Sequence, residues 1–278
     1  MPKRRFAQVD VFTDTPARGN GLAVVIDSEG LSTEDMQGFA TWTNLAETTF
    51  LLPPEDPSAD YKLRIFTPGR EMLFAGHPTL GSCAVWLAHG GVPRDPLRVR
   101  QECGVGIVEI DQTGPQPAFI APPTKIAPMA DEMRAAICAK VGLDAARILH
   151  TAELDNGPVW QAFELDSAES VLALEAARLR YPEFRSVGFM GEHPEGHDLD
   201  YEVRMLAPYS GMLEDPITGS LNAALAHWLA GQGRVTAPYV AAQGTVAGRV
   251  GRVSVRPRGD DVLIGGNTVA MIEGTLTF

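Results

Sequence analysis

Two short stretches carry residue types suited to holding a small anion. His77-Pro78-Thr79-Leu80-Gly81-Ser82 and Asp215-Pro216-Ile217-Thr218-Gly219-Ser220 each open an apolar helical pattern, and they lie 138 positions apart in a chain of 278. At a helix start the unpaired backbone N–H groups and the positive end of the helix dipole face the same space, which suits a carboxylate ligand. Two such turns are what an enzyme with two similar lobes needs to hold one small anion between them. The plainer alternative is that His77 and Asp215 only cap their own helices, since Asp is a favoured N-cap and Pro a favoured first helical residue.

A third polar residue stands in Asn44-Leu45-Ala46-Glu47-Thr48-Thr49-Phe50. Glu47 falls at a helix-to-strand junction, followed by two hydroxyls and a buried-type Phe. At the lip of an apolar cleft, a carboxyl group titrates nearer the working pH and serves as a general acid or base. On an ordinary loop it is a solvated charge. Cys83, Cys103 and Cys138 are odd in number and irregular in spacing, so they give neither a disulfide framework nor a zinc pattern and are expected to be structural thiols.

The elements that must position these residues repeat with them. Leu87-Ala88-His89 recurs as Leu225-Ala226-His227 at the same offset of 138, and Leu63-Arg64-Ile65-Phe66-Thr67-Pro68 answers Val203-Arg204-Met205-Leu206-Ala207-Pro208 at 140. Cys103-Gly104 answers Gln243-Gly244 at 140, and Asn20-Gly21 answers Asn156-Gly157 at 136. One long-period duplication indicates two homologous domains rather than a solenoid. Their expected extents are 1–122 and 123–278, with Pro122-Pro123 as linker and the last strand able to return to the first lobe.

Alternating patterns give strands over Phe6–Phe12, Leu22–Ile26, Thr48–Leu52 and Tyr61–Phe66. Leu31-Ser32-Thr33-Glu34-Asp35 reads as a capped helix start, and Leu80–His89 as an apolar helix ended by Gly90-Gly91. In the second half the expected helices cover Asp131–Val141, Ala168–Leu179 and Asn222–Leu229, and the tail is β from Tyr239 to Leu276. One central helix per half, apolar nearly all round, among mostly antiparallel strands makes the class α+β. No G-x-G-x-x-G opens a helix after a strand, which argues against a Rossmann dinucleotide site.

With 35 acidic against 23 basic residues, the net charge of −12 repels phosphate backbones, so nucleic acid is not an expected partner. No run approaches the roughly 18 apolar residues of a membrane span, and no apolar core follows the basic start Lys3-Arg4-Arg5. A cytoplasmic location with no membrane partner is the expectation.

Taken together, Phe74–Ser82 (F-A-G-H-P-T-L-G-S), Asn44–Phe50, Arg64–Pro68, Glu214–Ser220 (E-D-P-I-T-G-S) and Val9–Thr13 with Gly19–Gly21 resemble the PhzF phenazine-biosynthesis family, in order and spacing over essentially the whole chain. The resemblance implies a diaminopimelate epimerase-like fold: two pseudo-symmetric domains, each a β-barrel-like sheet around a central helix, with the site in the cleft between them. It also implies an isomerase that moves a proton from C3 to C1 of trans-2,3-dihydro-3-hydroxyanthranilate with no cofactor and no metal. By that likeness Glu47 takes and returns the proton, and His77 and Asp215 orient the substrate. Gly76, Thr218, Gly219 and Ser220 would line the binding site, and a homodimer is implied.

In related epimerases of that fold a cysteine occupies each helix-start turn. Here those places hold His77 and Asp215, and Cys83 lies a turn too far along. A two-base epimerase or racemase, or a non-catalytic small-molecule binding protein, stands as the alternative. Ala46 and Leu221-Asn222 depart from the family pattern, and Leu221 is expected to narrow the cleft.

Overall fold

The computed structural model describes residues 2–208 and 212–277, and the chain divides into two compact units, Met1–Ile120 with Gly265–Phe278, and Ala121–Ile264. The first opens with the antiparallel pair β1 (Lys3–Val11) and β2 (Asn20–Val25). Helix α1 (Thr33–Thr43) then returns the chain so that β3 (Glu47–Leu52) lies parallel to β2. The Ser32 hydroxyl accepts from the Asp35 backbone N–H while the Asp35 carboxylate accepts from the Ser32 N–H, a capping box that fixes where α1 starts. Strand β4 (Tyr61–Phe66) is antiparallel to β3, and short β5 (Glu71–Met72) folds back on it. After α2 (Gly76–Ala88) come β6 (Arg98–Cys103), parallel to β4, then β7 (Gly106–Asp111) and β8 (Ala118–Ile120).

Helix α2 is the centre of this unit, packed against β1, β2, β3, β4, β6 and β8. Its approach to β1 and β2 leaves no spare volume. A Cβ on Gly81 would fall 2.6 Å from a Leu22 methyl and 2.8 Å from one of Val11, so only glycine lets the helix come this near. Helix α1 packs Met36, Phe39 and Ala40 against Val25, Phe50 and Phe66.

The second unit runs β9 (Lys125–Ala127), α3 (Asp131–Val141), β10 (Ile148–Asp155), β11 (Val159–Leu165), α4 (Ala168–Leu172), β12 (Val187–Glu192), β13 (Tyr201–Leu206), β14 (Glu214–Asp215), α5 (Gly219–Gly231), β15 (Tyr239–Gln243), β16 (Gly251–Arg258) and β17 (Asp261–Gly265). Its pairing reproduces the first unit strand for strand. β10–β11 is antiparallel, β11–β12 parallel, β12–β13 and β13–β14 antiparallel, β13–β15 parallel and β15–β16 antiparallel. The duplicated sequence is therefore a duplicated topology. Helix α5 places Leu221, Leu225, Trp228 and Leu229 in one core cluster with Leu154, Trp160, Met205 and Ala241. The second unit stops at Ile264 because the final strand, β18 (Thr268–Thr277), pairs antiparallel along β1 from Lys3↔Thr277 to Val11↔Thr268.

Two expectations need correction. The helix expected over Ala168–Leu179 breaks after Leu172, and only a 3-10 turn covers Ala176–Arg178. Arg204 on β13 is the cause: its Nη1 donates to the carbonyls of Val171 and Leu174 at 3.2 and 2.6 Å, oxygens that a continuing helix would need for its own hydrogen bonds. Leu221 does not narrow a site. It is fully buried in the core, and a Cβ on Gly188 would lie 2.6 Å from its Cδ1.

Candidate active site

Glu47 is the first residue of β3, and the preceding turn puts it there. Helix α1 ends at Asn44 in the left-handed conformation, φ 54°, which Asn tolerates better than most residues. Leu22 of β2 then takes Glu47 as its register partner, and the hydroxyls of Thr43 and Thr48 meet at 2.8 Å across the junction. His77, the second residue of α2, brings its Nε2 to 3.3 Å from Glu47 Oε2.

The imidazole is buried, and burial pushes its pKa down to about 3, so the ring is neutral at neutral pH. Asn20 Nδ2 lies 3.5 Å from His77 Nδ1. With the amide nitrogen donating, Nδ1 accepts and the ring proton sits on Nε2. Nε2 and Oε2 face each other at that distance without completing a hydrogen bond, and the neutral ring makes the contact no ion pair. One turn further along α2, Ser82 Oγ and Thr49 Oγ1 are 2.8 Å apart in the core, tying the helix to β3.

The second unit builds a different arrangement from the matching motif. Asp215 ends the short strand β14, and Thr218 is the N-cap of α5, its hydroxyl donating to the Asp215 carboxylate. Burial raises the Asp215 carboxyl to about 6; the Thr218 hydrogen bond opposes that rise and the neighbouring Glu214 charge adds to it. Glu214 itself is held by the buried Arg204 through Nε–Oε1 at 3.1 Å and Nη2–Oε2 at 2.7 Å. Gly219 and Ser220 are the first residues of α5, and the Ser220 carbonyl accepts from Asn156 Nδ2 at 2.8 Å. Gly76 is the first residue of α2 and is buried.

Capping does not explain His77 or Asp215. The N-cap positions are Ala75 and Thr218, and neither helix has a side-chain cap on its N–H groups. The helix-start motifs also differ in register: the H-P-T segment lies inside α2, whereas D-P-I-T precedes α5. The expected apolar helix from Leu80 thus begins earlier, at Gly76. Cys83 is buried, with its thiol pushed up to about 12 by burial, so it is no base at neutral pH.

Several polar residues of this region were not singled out from sequence. Asn20 was visible only as part of the Gly19–Gly21 motif and through its duplication as Asn156. Gln101 and Gln243, both fully buried, each reach the hydroxyl of a threonine near a helix start, Thr79 at 3.0 Å and Thr218 at 2.9 Å. The two are not equivalent in register: Gln101 lies opposite Tyr61, where the second unit has Ala241 opposite Tyr201, and Gln243 lies opposite Val203.

A family model described as Phenazine biosynthesis-like protein (PhzC-PhzF) matches residues 9–274. The chain belongs to that family. This PhzF-family member is 31% identical to the trans-2,3-dihydro-3-hydroxyanthranilate isomerase of Pseudomonas aeruginosa, covering 97% of this chain and 98% of that protein. It is likewise 31% identical to Antisense-enhancing sequence 1 of Schizosaccharomyces pombe, over 99% of each. Among solved structures, a PhzF-family phenazine biosynthesis protein of Bacillus anthracis superposes with a TM-score of 0.85 at 20% identity, covering 100% of both chains. The PhzF-family chain is accordingly an isomerase of α+β fold. Among the described residues no helix is long and apolar enough to cross a membrane, and no group of three or more His, Cys, Asp or Glu converges as a metal site.

Proposed function

We propose that this chain moves a proton within a small cyclic or amino carboxylate without a cofactor, in the manner of the trans-2,3-dihydro-3-hydroxyanthranilate isomerases it is similar to. Glu47 takes the proton from one carbon and returns it to another. His77 and Asp215 orient the polar groups of the substrate, with Gly76, Thr218, Gly219 and Ser220 contributing contacts at the helix starts.

The observation that carries this reading is the 3.3 Å contact between Glu47 and a neutral His77. A carboxylate that shuttles a proton must be ionised before abstraction and protonated after it. A cationic imidazolium at that distance would favour the ionised form and oppose the second state. A neutral imidazole beside Glu47 adds no full charge, so the proton can arrive and leave. The high titration of the Cys83 thiol argues against thiol-based epimerisation.

The test is Glu47→Gln assayed with trans-2,3-dihydro-3-hydroxyanthranilate in deuterated water. Exchange and turnover should fall by about 10²–10⁴-fold, while substrate binding measured by calorimetry is largely kept. Exchange at the wild-type rate in this variant refutes the role of Glu47.

A further inference from the structure

In the second unit, Asp215 is the outermost member of a chain of hydrogen bonds whose direction is set by backbone groups. The start of the chain is Asn222 on α5, whose Nδ2 donates to the Thr218 carbonyl at 3.0 Å and to Gln243 Oε1 at 2.8 Å. Gln243 Oε1 also accepts from the Thr218 backbone N–H at 3.0 Å. A backbone N–H can only donate, so the oxygen of the Gln243 amide faces Thr218 N, and the amide nitrogen is left to face the Thr218 hydroxyl and the Asp215 carbonyl, at 2.9 and 3.3 Å. That nitrogen has only hydrogens to offer. Thr218 Oγ1 must accept from it, and its single hydroxyl hydrogen then points to the Asp215 carboxylate.

We propose that Gln243 is a positioning residue: by donating to the Thr218 hydroxyl it obliges that hydroxyl to donate to Asp215 and so fixes the carboxylate. This rests on Asp215 being the substrate-orienting carboxylate of the second unit. Gln243 itself touches neither substrate nor reacting atoms, being fully buried at the end of β15, where it pairs with Val203 of β13. Gln101, two positions earlier in its strand than Gln243, donates to Thr79 Oγ1 at 3.0 Å and accepts from the Tyr61 hydroxyl at 3.0 Å, so a glutamine-to-threonine hydrogen bond recurs at a non-equivalent position near the histidine. In the second unit it is the carboxylate that receives the hydroxyl.

Among the described residues, charges beside Asp215 include Glu214 on β14, which disfavours its ionised form, and Arg204 on β13, which is engaged with Glu214. A hydroxyl hydrogen held toward Asp215 therefore opposes both burial and its acidic neighbour. Losing that hydrogen should raise the titration midpoint of the carboxyl group.

The experiment reads Asp215 directly and needs no substrate. The protein is labelled with 13Cγ-aspartate, the Asp215 signal is assigned by its loss in Asp215→Asn, and its chemical shift is followed against pH. Gln243→Met and Thr218→Val should each raise the midpoint by about one pH unit. Thr218→Ser, which keeps the hydroxyl, should restore it, and Gln243→Met with Thr218→Val should rise no further than either alone, because both remove one hydrogen bond. A Gln243→Met midpoint equal to wild type in a folded protein, or additive shifts in the double variant, overturns the proposal.

If Gln243→Met does not fold, the wild-type protein still decides. The Thr218 hydroxyl proton should exchange slowly enough to be seen by NMR and show a cross-peak to the Gln243 amide protons, and its absence overturns the proposal. Should Asp215→Asn instead leave turnover intact while these shifts appear, the hydrogen-bond chain stands and the assigned role of Asp215 falls.

Discussion

The two helix-start motifs are copies in sequence and in strand pairing, yet they support different chemistry. In the first unit the motif is wound into α2 and delivers a buried, neutral histidine to a glutamate at the head of β3. The second keeps the motif ahead of α5 and uses it to hold an aspartate whose carboxyl is raised toward 6. The strand that corresponds to β3 is β12, where Val187 pairs with Leu206 as Thr48 pairs with Phe66, so Ser186 stands in the place of Glu47. Duplication preserved the scaffold, while substitution at a few exits from it gave the two copies different polar residues, which the proposed function uses as an acid–base group in one and a ligand-holding group in the other.

The scaffold itself carries a matched device of unequal strength, which offers the largest expected effect. Arg204–Glu214 and Arg64–Glu71 are the same bidentate clamp between a long strand and the short strand that returns on it. Arg204 is fully buried and also satisfies the carbonyls of Val171 and Leu174, while Arg64 and Glu71 are partly exposed. Arg204→Met should cost about 3–5 kcal/mol in urea unfolding, because it strands a buried carboxylate as well as those oxygens. Adding Glu214→Leu should recover part of the loss but not all, since the carbonyls still lack a donor. No loss in the single variant would mean that the two clamps are equivalent after all.

The repeat-equivalent positions 77 and 215 also make opposite predictions for stability against pH. His77 titrates near 6.5 when unfolded and about 3 when folded, so between those values the unfolded chain binds the proton and stability falls as pH drops, by about 1.4 kcal/mol per pH unit. Asp215 titrates near 3.8 unfolded and about 6 folded, so there the folded chain holds the proton and stability falls as pH rises through that window, with a similar slope. Relative to wild type, His77→Asn should therefore gain stability toward lower pH within 3 to 6.5, and Asp215→Asn toward higher pH within 3.8 to 6. Denaturation series at several pH values check the signs. Parallel trends would erase the distinction drawn between the two motifs.

Much of the frame was legible because it is written in periodic patterns and in duplication: the capping box of α1, the central helices and the alternation of the strands. Glu47, His77 and Asp215 were legible as residue types in a family pattern, and the structure brings Glu47 and His77 into contact. The sequence did not disclose what depends on tertiary hydrogen bonds. The core position of Leu221 on α5 depends on its packing against Gly188 of β12, and the break in the helix after Leu172 on an arginine 32 residues further along. The two-residue strands β5 and β14 are too short for any period to mark, although they carry the acids of both clamps.

The smallest expected effect tests the comparison from its weak side. Arg64 reaches Glu71 at 2.7 Å through both Nε and Nη2, donates to Thr33 Oγ1 at 3.0 Å and lies 5.1 Å from the centre of the Phe66 ring. Its contact list is nearly as long as that of Arg204, so counting interactions would forecast a similar loss. Water decides otherwise, because the partly exposed partners are solvated again when the pair is broken. Arg64→Met should then cost about 0–1 kcal/mol, and raising the salt concentration should shrink even that difference. A loss matching that of Arg204→Met would show that contact geometry rather than burial sets the strength of the clamp, and the inequality between the two units would lose its physical basis.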